Sequence, residues 1–265
     1  MKRILLLLAI LCSLTAFAQM PKLKPELLKG YDVKINDLST SMLEYDGGYK
    51  DFYADEATLT TYKKGSKSTT DPNALKGRTF KVADITSSTG YMATYYKFKL
   101  EGNGETVYYK YQKGYNAPFT PLNFTLPADY YCDYIVKGMF DETIISYTVE
   151  EKYVFAISKY KFVDGSSVVY NLSLQTGKDG EGIGGRGVTL ELENNKKIQK
   201  DALVEKNAKG PTPIYNTEFV LTEAELELLK ANKIKSFTLF KTQAVMFDDS
   251  ATTLQKVIPC LITIK

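Results

Sequence analysis

One absence narrows the chemistry open to this chain: among its 265 residues there is no histidine. That removes together the commonest general base, the usual partner of a serine or cysteine nucleophile and the usual zinc ligand. Carboxylate chemistry survives the loss, because a glycosidase needs only two acids a set distance apart. The adjacent pairs Glu150-Glu151 and Asp248-Asp249 do not supply them, since neighbours on a strand point to opposite faces, and both read as solvated turns or hairpin flanks. Gly180 to Gly185 spells G-x-G-x-x-G, a pattern that holds a pyrophosphate where the last glycine opens a helix. Here Arg186-Gly187 and the strand-like Val188 to Leu192 follow, so the segment reads as a loop or glycine bulge between strands. Asp179 and Glu181 offer oxygen ligands in the same loop, but two carboxylates fall short of the about six to eight oxygens calcium takes. The sequence therefore predicts no catalytic residue, cofactor or metal site.

What remains are cysteines and tyrosines. Cys132 and Cys260 are the cysteines that follow the N-terminal apolar run. In an oxidising compartment they are either a disulfide tying the middle of the chain to its last strand or two separate buried hydrophobes. The chain has 20 tyrosines and no tryptophan, and Tyr95, Tyr96, Tyr108, Tyr109, Tyr111 and Tyr115 crowd one hairpin. Because neighbours alternate faces along a strand, both surfaces of that hairpin carry rings. One set suits a core. The other, an apolar body with a polar tip, suits protein or glycan contact. Lys97, Lys99, Lys110 and Lys113 on the same hairpin read as charges that keep strand edges soluble.

These residues need elements to hold them. Lys2 and Arg3, the apolar run Ile4 to Leu14 and Ala16-Phe17-Ala18 have the three-part order of a secretory signal peptide, with cleavage expected near Ala18. The run is shorter than the roughly 20 residues needed to span a bilayer. Secretion or a periplasmic location follows as the expectation, with no transmembrane segment in the mature chain. The net charge of +3 includes Lys2 and Arg3, and beyond them only Arg78 and Arg186 offer the guanidinium fork that phosphates favour. A nucleic-acid partner is not expected.

Residues 19–74 are polar and turn-rich, and read as a lead-in with one short helical piece near Leu38 to Glu44, then a loop. From Leu75, period-two alternation marks strands at Thr79 to Ile85, Tyr91 to Leu100, Glu105 to Tyr111 and Tyr130 to Lys137. That size suits a small SH3-like or barrel-type β module over 75–137. Residues 138–265 carry longer strands, with a clear hairpin turning at Asp164-Gly165, and read as a β-sandwich-like α+β module. Its single helix, about 223–231, is spelled out at both ends: Thr222 and Glu225 form a capping box, Leu221 and Leu226 a staple, and Asn232 a left-handed stop. Val257 to Ile264 reads as the last strand.

The fold class expected is thus mainly β with one packed helix. The function expected is that of an exported, non-enzymatic binding protein with a protein or glycan partner at the cell envelope. A carboxylate-dependent glycan-active enzyme is the alternative, and a carrier of a small apolar ligand inside the first barrel is the second.

Overall fold

The computed structural model describes residues 20–90, 93–140, 142–148, 155–177, 184–207 and 213–264. Among the described residues strand makes up 48% and helix 21%, which places the chain in the mainly β class. It divides into two compact units between Pro127 and Ala128.

Unit 1 comprises strands β1 (Asp32–Ile35), β2 (Phe52–Tyr53), β3 (Thr79–Thr89), β4 (Thr94–Gly102), β5 (Glu105–Gln112) and β6 (Phe119–Leu122), with helices α1 (Thr40–Asp46) and α2 (Pro72–Leu75). They form one antiparallel sheet in the order β2-β5-β4-β3-β1-β6. The alternation legible in β3 to β5 is real. Phe80 and Val82, Tyr96, Phe98 and Leu100, and Val107, Tyr109 and Tyr111 all face the core. At the β4–β5 turn the left-handed positions are Asn103 (φ 53°) and Gly104 (φ 75°), the pairing a two-residue hairpin demands. Gly102 is needed for space instead, since a Cβ there would meet the Thr79 carbonyl oxygen at 2.8 Å.

The segment read as a lead-in is structural. Leu28, Val33, Ile35, Tyr49, Phe52, Tyr62 and Leu75 are buried in the same core as the hairpins. The seam expected at 137/138 falls ten residues beyond the one at Pro127 and Ala128. A four-group cluster fastens this segment down: the Glu105 carboxylate accepts from Lys63 Nζ (2.6 Å), Arg78 Nη2 (2.7 Å) and the Tyr62 hydroxyl (2.8 Å). Lys63 first, then Arg78 and Tyr62, hold the Glu105 carboxyl down at about 2, against an ordinary 4.5. One of the chain's few arginines is thereby committed to structure.

Unit 2 comprises β7 (Ile135–Phe140), β8 (Thr143–Thr148), β9 (Phe155–Phe162), β10 (Val168–Gly177), β11 (Gly185–Leu192), β12 (Lys197–Asn207), β13 (Ile214–Leu221), β14 (Ile234–Leu239) and β15 (Thr242–Val245). They make one nine-stranded sheet, β15-β14-β11-β12-β13-β10-β9-β8-β7. The β9–β10 hairpin turns at Asp164-Gly165, where Gly165 takes φ 73° and Asp164 Oδ1 accepts the Ser166 N–H at 2.8 Å.

Helix α3 (Glu223–Ala231) has the bounds read from the sequence, and both halves of its capping box form: Glu225 N–H to Thr222 Oγ1 (3.3 Å) and Thr222 N–H to Glu225 Oε2 (2.8 Å). Asn232 does not stop it in the left-handed region. It is extended, and its side-chain amide donates to the Leu228 carbonyl at 3.0 Å. A second helix, α4 (Asp248–Thr263), stands where the sequence reading placed a terminal strand and a solvated acidic pair. It buries Ala251, Leu254, Val257, Ile258 and Leu261, packs against α3, β9 and β14, and opens with Asp248 and Asp249 at the end where the helix dipole favours anions. Its other end is held by Lys159 of β9, a buried lysine whose ammonium donates to the carbonyls of Ile262 (3.1 Å) and Ile264 (2.6 Å). Tyr130–Tyr134, expected to begin a strand, forms a 3-10 turn instead. From it Cys132 reaches Cys260 of α4 in a disulfide, with a Cα–Cα distance of 5.3 Å across 128 residues of sequence. Among the described residues no helix is long and apolar enough to cross a membrane.

Candidate functional site

The β4–β5 hairpin sorts its tyrosines by parity. Tyr96 pairs with Tyr111 and Phe98 with Tyr109, and these rings point into the core. Tyr109 lies 4.7 Å from Phe52 and 5.5 Å from Phe119, ring centre to ring centre. Burial pushes its phenol well up, so it stays neutral and serves as core. Tyr95, Lys97, Lys99, Tyr108 and Lys110 take the opposite face. Tyr95 is half-buried, with the Lys110 ammonium 4.6 Å from its ring centre. Tyr115, in the turn after β5, is 63% exposed. Three of the six tyrosines read as a contact surface are therefore packing residues.

Tyr95 and Tyr115 share a surface groove of about 590 Å³ with the rims of Tyr109 and Tyr111. It opens at the end of β5, where the sheet runs out: β2 meets β5 at Tyr108 and Tyr109, and beyond that the Lys110 N–H donates to the Asp51 carbonyl at 2.9 Å. The opposite wall comes from the segment read as a lead-in, which places Asp37, Asp46 and Asp51 along the groove.

Local sequence explains that wall. Ser39 Oγ accepts the Met42 N–H at 3.2 Å and caps α1, while Gly47 at φ 79° ends it. Lys67 then donates to the Glu44 (2.6 Å) and Tyr45 (3.0 Å) carbonyls at the helix end. Gly48 lies too close to the Thr70 backbone for any side chain, and Tyr49 exchanges backbone hydrogen bonds with Thr70. The Tyr49 hydroxyl donates to the Asn36 carbonyl at 2.6 Å and joins the wall to the end of β1. The turn bearing Tyr115 is fixed from below, where the Tyr111 hydroxyl donates to the Tyr115 carbonyl at 2.8 Å.

On the far side of the Tyr95–Lys110 pair lies a second, smaller groove of about 280 Å³, lined by Glu56, Leu59, Ser87 and Lys97 among others. Tyr108 borders neither groove and sits opposite Lys99. The acids of the groove went unnoticed in the sequence, although the Ser39 to Gly48 frame around α1 was a readable signal for an ordered element there.

The other sequence candidates fall elsewhere. Residues 179–183 of the glycine-rich loop, and Glu150-Glu151, lie outside the described residues. Gly185 opens β11, so the motif continues as strand, and its Cα lies beneath the Phe240 ring. Arg186 pairs with Asp201 at 3.0 Å. Among the described residues no three His, Cys, Asp or Glu side chains gather as a metal site.

Unit 2 offers a contrasting surface. On the face of its sheet opposite Phe155, Ile157 and Leu172, a shallow apolar groove of about 320 Å³ is lined by Phe140, Ile145, Tyr160, Phe162, Val169 and Val220. No protein-family model, curated protein or solved structure matches this chain.

Proposed function

We propose that this is an exported, non-enzymatic binding protein of the cell envelope or periplasm, and that it contacts its partner through the groove of unit 1. This reading treats unit 1 as an SH3-like or barrel-type recognition module and unit 2 as a sandwich-like one. Export rests on the N-terminal pattern from Lys2 to Ala18, and the Cys132–Cys260 bond is the chemistry of an oxidising compartment. The observation that carries the binding role is the convergence of Tyr95 and Tyr115 with Asp37, Asp46 and Asp51 in one concave site of about 590 Å³. Its volume is that of a ligand pocket, apolar faces with a few placed polar groups.

Co-sedimentation with isolated envelopes tests the reading. The mature protein is expected in the pellet, whereas Tyr115→Ala stays in the supernatant with an unchanged Tm, because the ring is exposed and supports no core. Equal pelleting of the two proteins, or failure of both to pellet, overturns the proposal. The same three aspartates keep a glycan-active enzyme as the second reading, and release of new reducing ends from envelope polysaccharide would favour it.

A further inference from the structure

We infer that the occupant of this groove is an uncharged glycan chain several sugar units long, an inference that rests on the binding role above and names its ligand. Shape supplies the first argument. The larger and smaller grooves meet at Tyr95 and Lys110, which line both, so the concave surface is elongated and interrupted by one aromatic ridge. A compact metabolite would fill one side only. A linear chain can lie in both and cross the ridge. A protein partner would need a broad contact, roughly 1,200–2,000 Å² in total with an apolar centre. Along these two grooves the exposed aliphatic side chains of any size are Met42 and Leu59, one to each groove, whereas Phe140, Phe162 and Val220 gather at one groove of unit 2.

Side-chain chemistry supplies the second. A pyranose ring presents polarised C–H groups on its faces and hydroxyls around its rim. The C–H face meets the electron-rich face of an aromatic ring, which Tyr115 presents as a largely exposed ring and Tyr95 as a half-buried one beside Lys110. The hydroxyls both donate and accept. Carboxylates such as Asp37 and Asp51 accept hydrogen bonds from them, and the amides of Gln112 and Asn116, also at the groove, both donate and accept.

Charge supplies the third. Three aspartates face two lysines in the larger groove, Lys50 and Lys110. Lys50 is paired with Asp46 at 2.7 Å, Lys76 comes from outside the lining to pair with Asp37 at 2.9 Å, and Lys110 is over the Tyr95 ring. Arg78 is bound to Glu105 and Arg186 to Asp201, so neither fork is at the groove. With Lys76 counted, three ammonium groups answer the three carboxylates and each is already engaged, so the site holds no surplus charge for uronic, sulfated or phosphorylated polymers, and uncharged sugars are the matched class.

Two arms of one experiment test this. In the first, calorimetric titration of the mature, disulfide-bonded protein uses uncharged hexasaccharides of glucose, mannose, xylose and N-acetylglucosamine, with a galacturonic acid hexasaccharide as the anionic control. At least one uncharged probe is expected to bind, Tyr115→Ala to weaken it about tenfold, and Tyr115→Phe, which keeps the ring, to restore it. Binding of the anionic probe alone, or of none, overturns the inference. In the second arm, envelopes are treated with periodate, which cleaves vicinal diols, or with protease, before co-sedimentation. Loss after periodate and persistence after protease support a glycan. The opposite pattern overturns the glycan and leaves the binding role standing with a protein partner. Absence of pelleting even with untreated envelopes removes the binding role itself.

Discussion

In unit 1, residues far apart in sequence are drawn together by rings and by the three donors that converge on Glu105, whereas unit 2 places two helices on a nine-stranded sheet and locks one of them with Cys132–Cys260. The first arrangement depends on a carboxylate staying ionised. The second depends on two sulfurs staying oxidised. Two consecutive units of one chain thus rest most heavily on different chemistry.

The largest effect expected is on unit 2. Replacing both cysteines, Cys132→Ser with Cys260→Ser, reopens a loop of 128 residues and destabilises the unit by roughly 4–5 kcal/mol on the chain-entropy account. Amide hydrogen exchange checks it, with peptides from α4 and β9 losing protection while those of β3 to β5 keep theirs. Equal loss in both units would erase the contrast.

Acid acts on both units, since Glu225 and Asp164 of unit 2 are also held below the ordinary carboxylate range, but the deepest depression is at Glu105 of unit 1. The Glu105 carboxyl titrates at about 2 in the folded chain against an ordinary 4.5, so its contribution is complete above pH 4.5 and is lost as pH falls from there towards 2. Unfolding followed by tyrosine fluorescence should show Glu105→Gln less stable at pH 7 and flatter than the parent through that window. A parallel slope would break the assignment. The smallest effect, in unit 2, is Thr222→Ala, which removes the acceptor that caps α3 and should lower stability by about 1 kcal/mol in denaturant titration.

What could be read ahead of the structure was local. Helix α3 carries its own start signal in Thr222 and Glu225, and β4, β5, β9 and β10 carry period-two alternation across turns with Asn103-Gly104 or Asp164-Gly165. Helix α4 was legible in spacing, since Ala251, Leu254, Val257, Ile258 and Leu261 recur at helical intervals. The β-branched run and Pro259 within it imitate a strand instead. Strand β12 was hidden for the opposite reason, since lysines and acids occupy much of it and only Ile198 and Val204 are buried.

The same division holds for the groove. Its tyrosines stood out by number, and parity along β4 and β5 decides which are free to face outward. Asp37, Asp46 and Asp51 did not stand out, because only long-range packing of residues 36–51 against the end of β5 brings them there.

The bond from the Tyr111 hydroxyl to the Tyr115 carbonyl joins an interior ring to the backbone beneath an exposed one. The turn that presents Tyr115 is consequently ordered before any visitor arrives, and the entropy of arresting that backbone is spent once, during folding, instead of at every encounter. For the ligand proposed above, affinity is in this way set in part by a side chain it meets only at its rim.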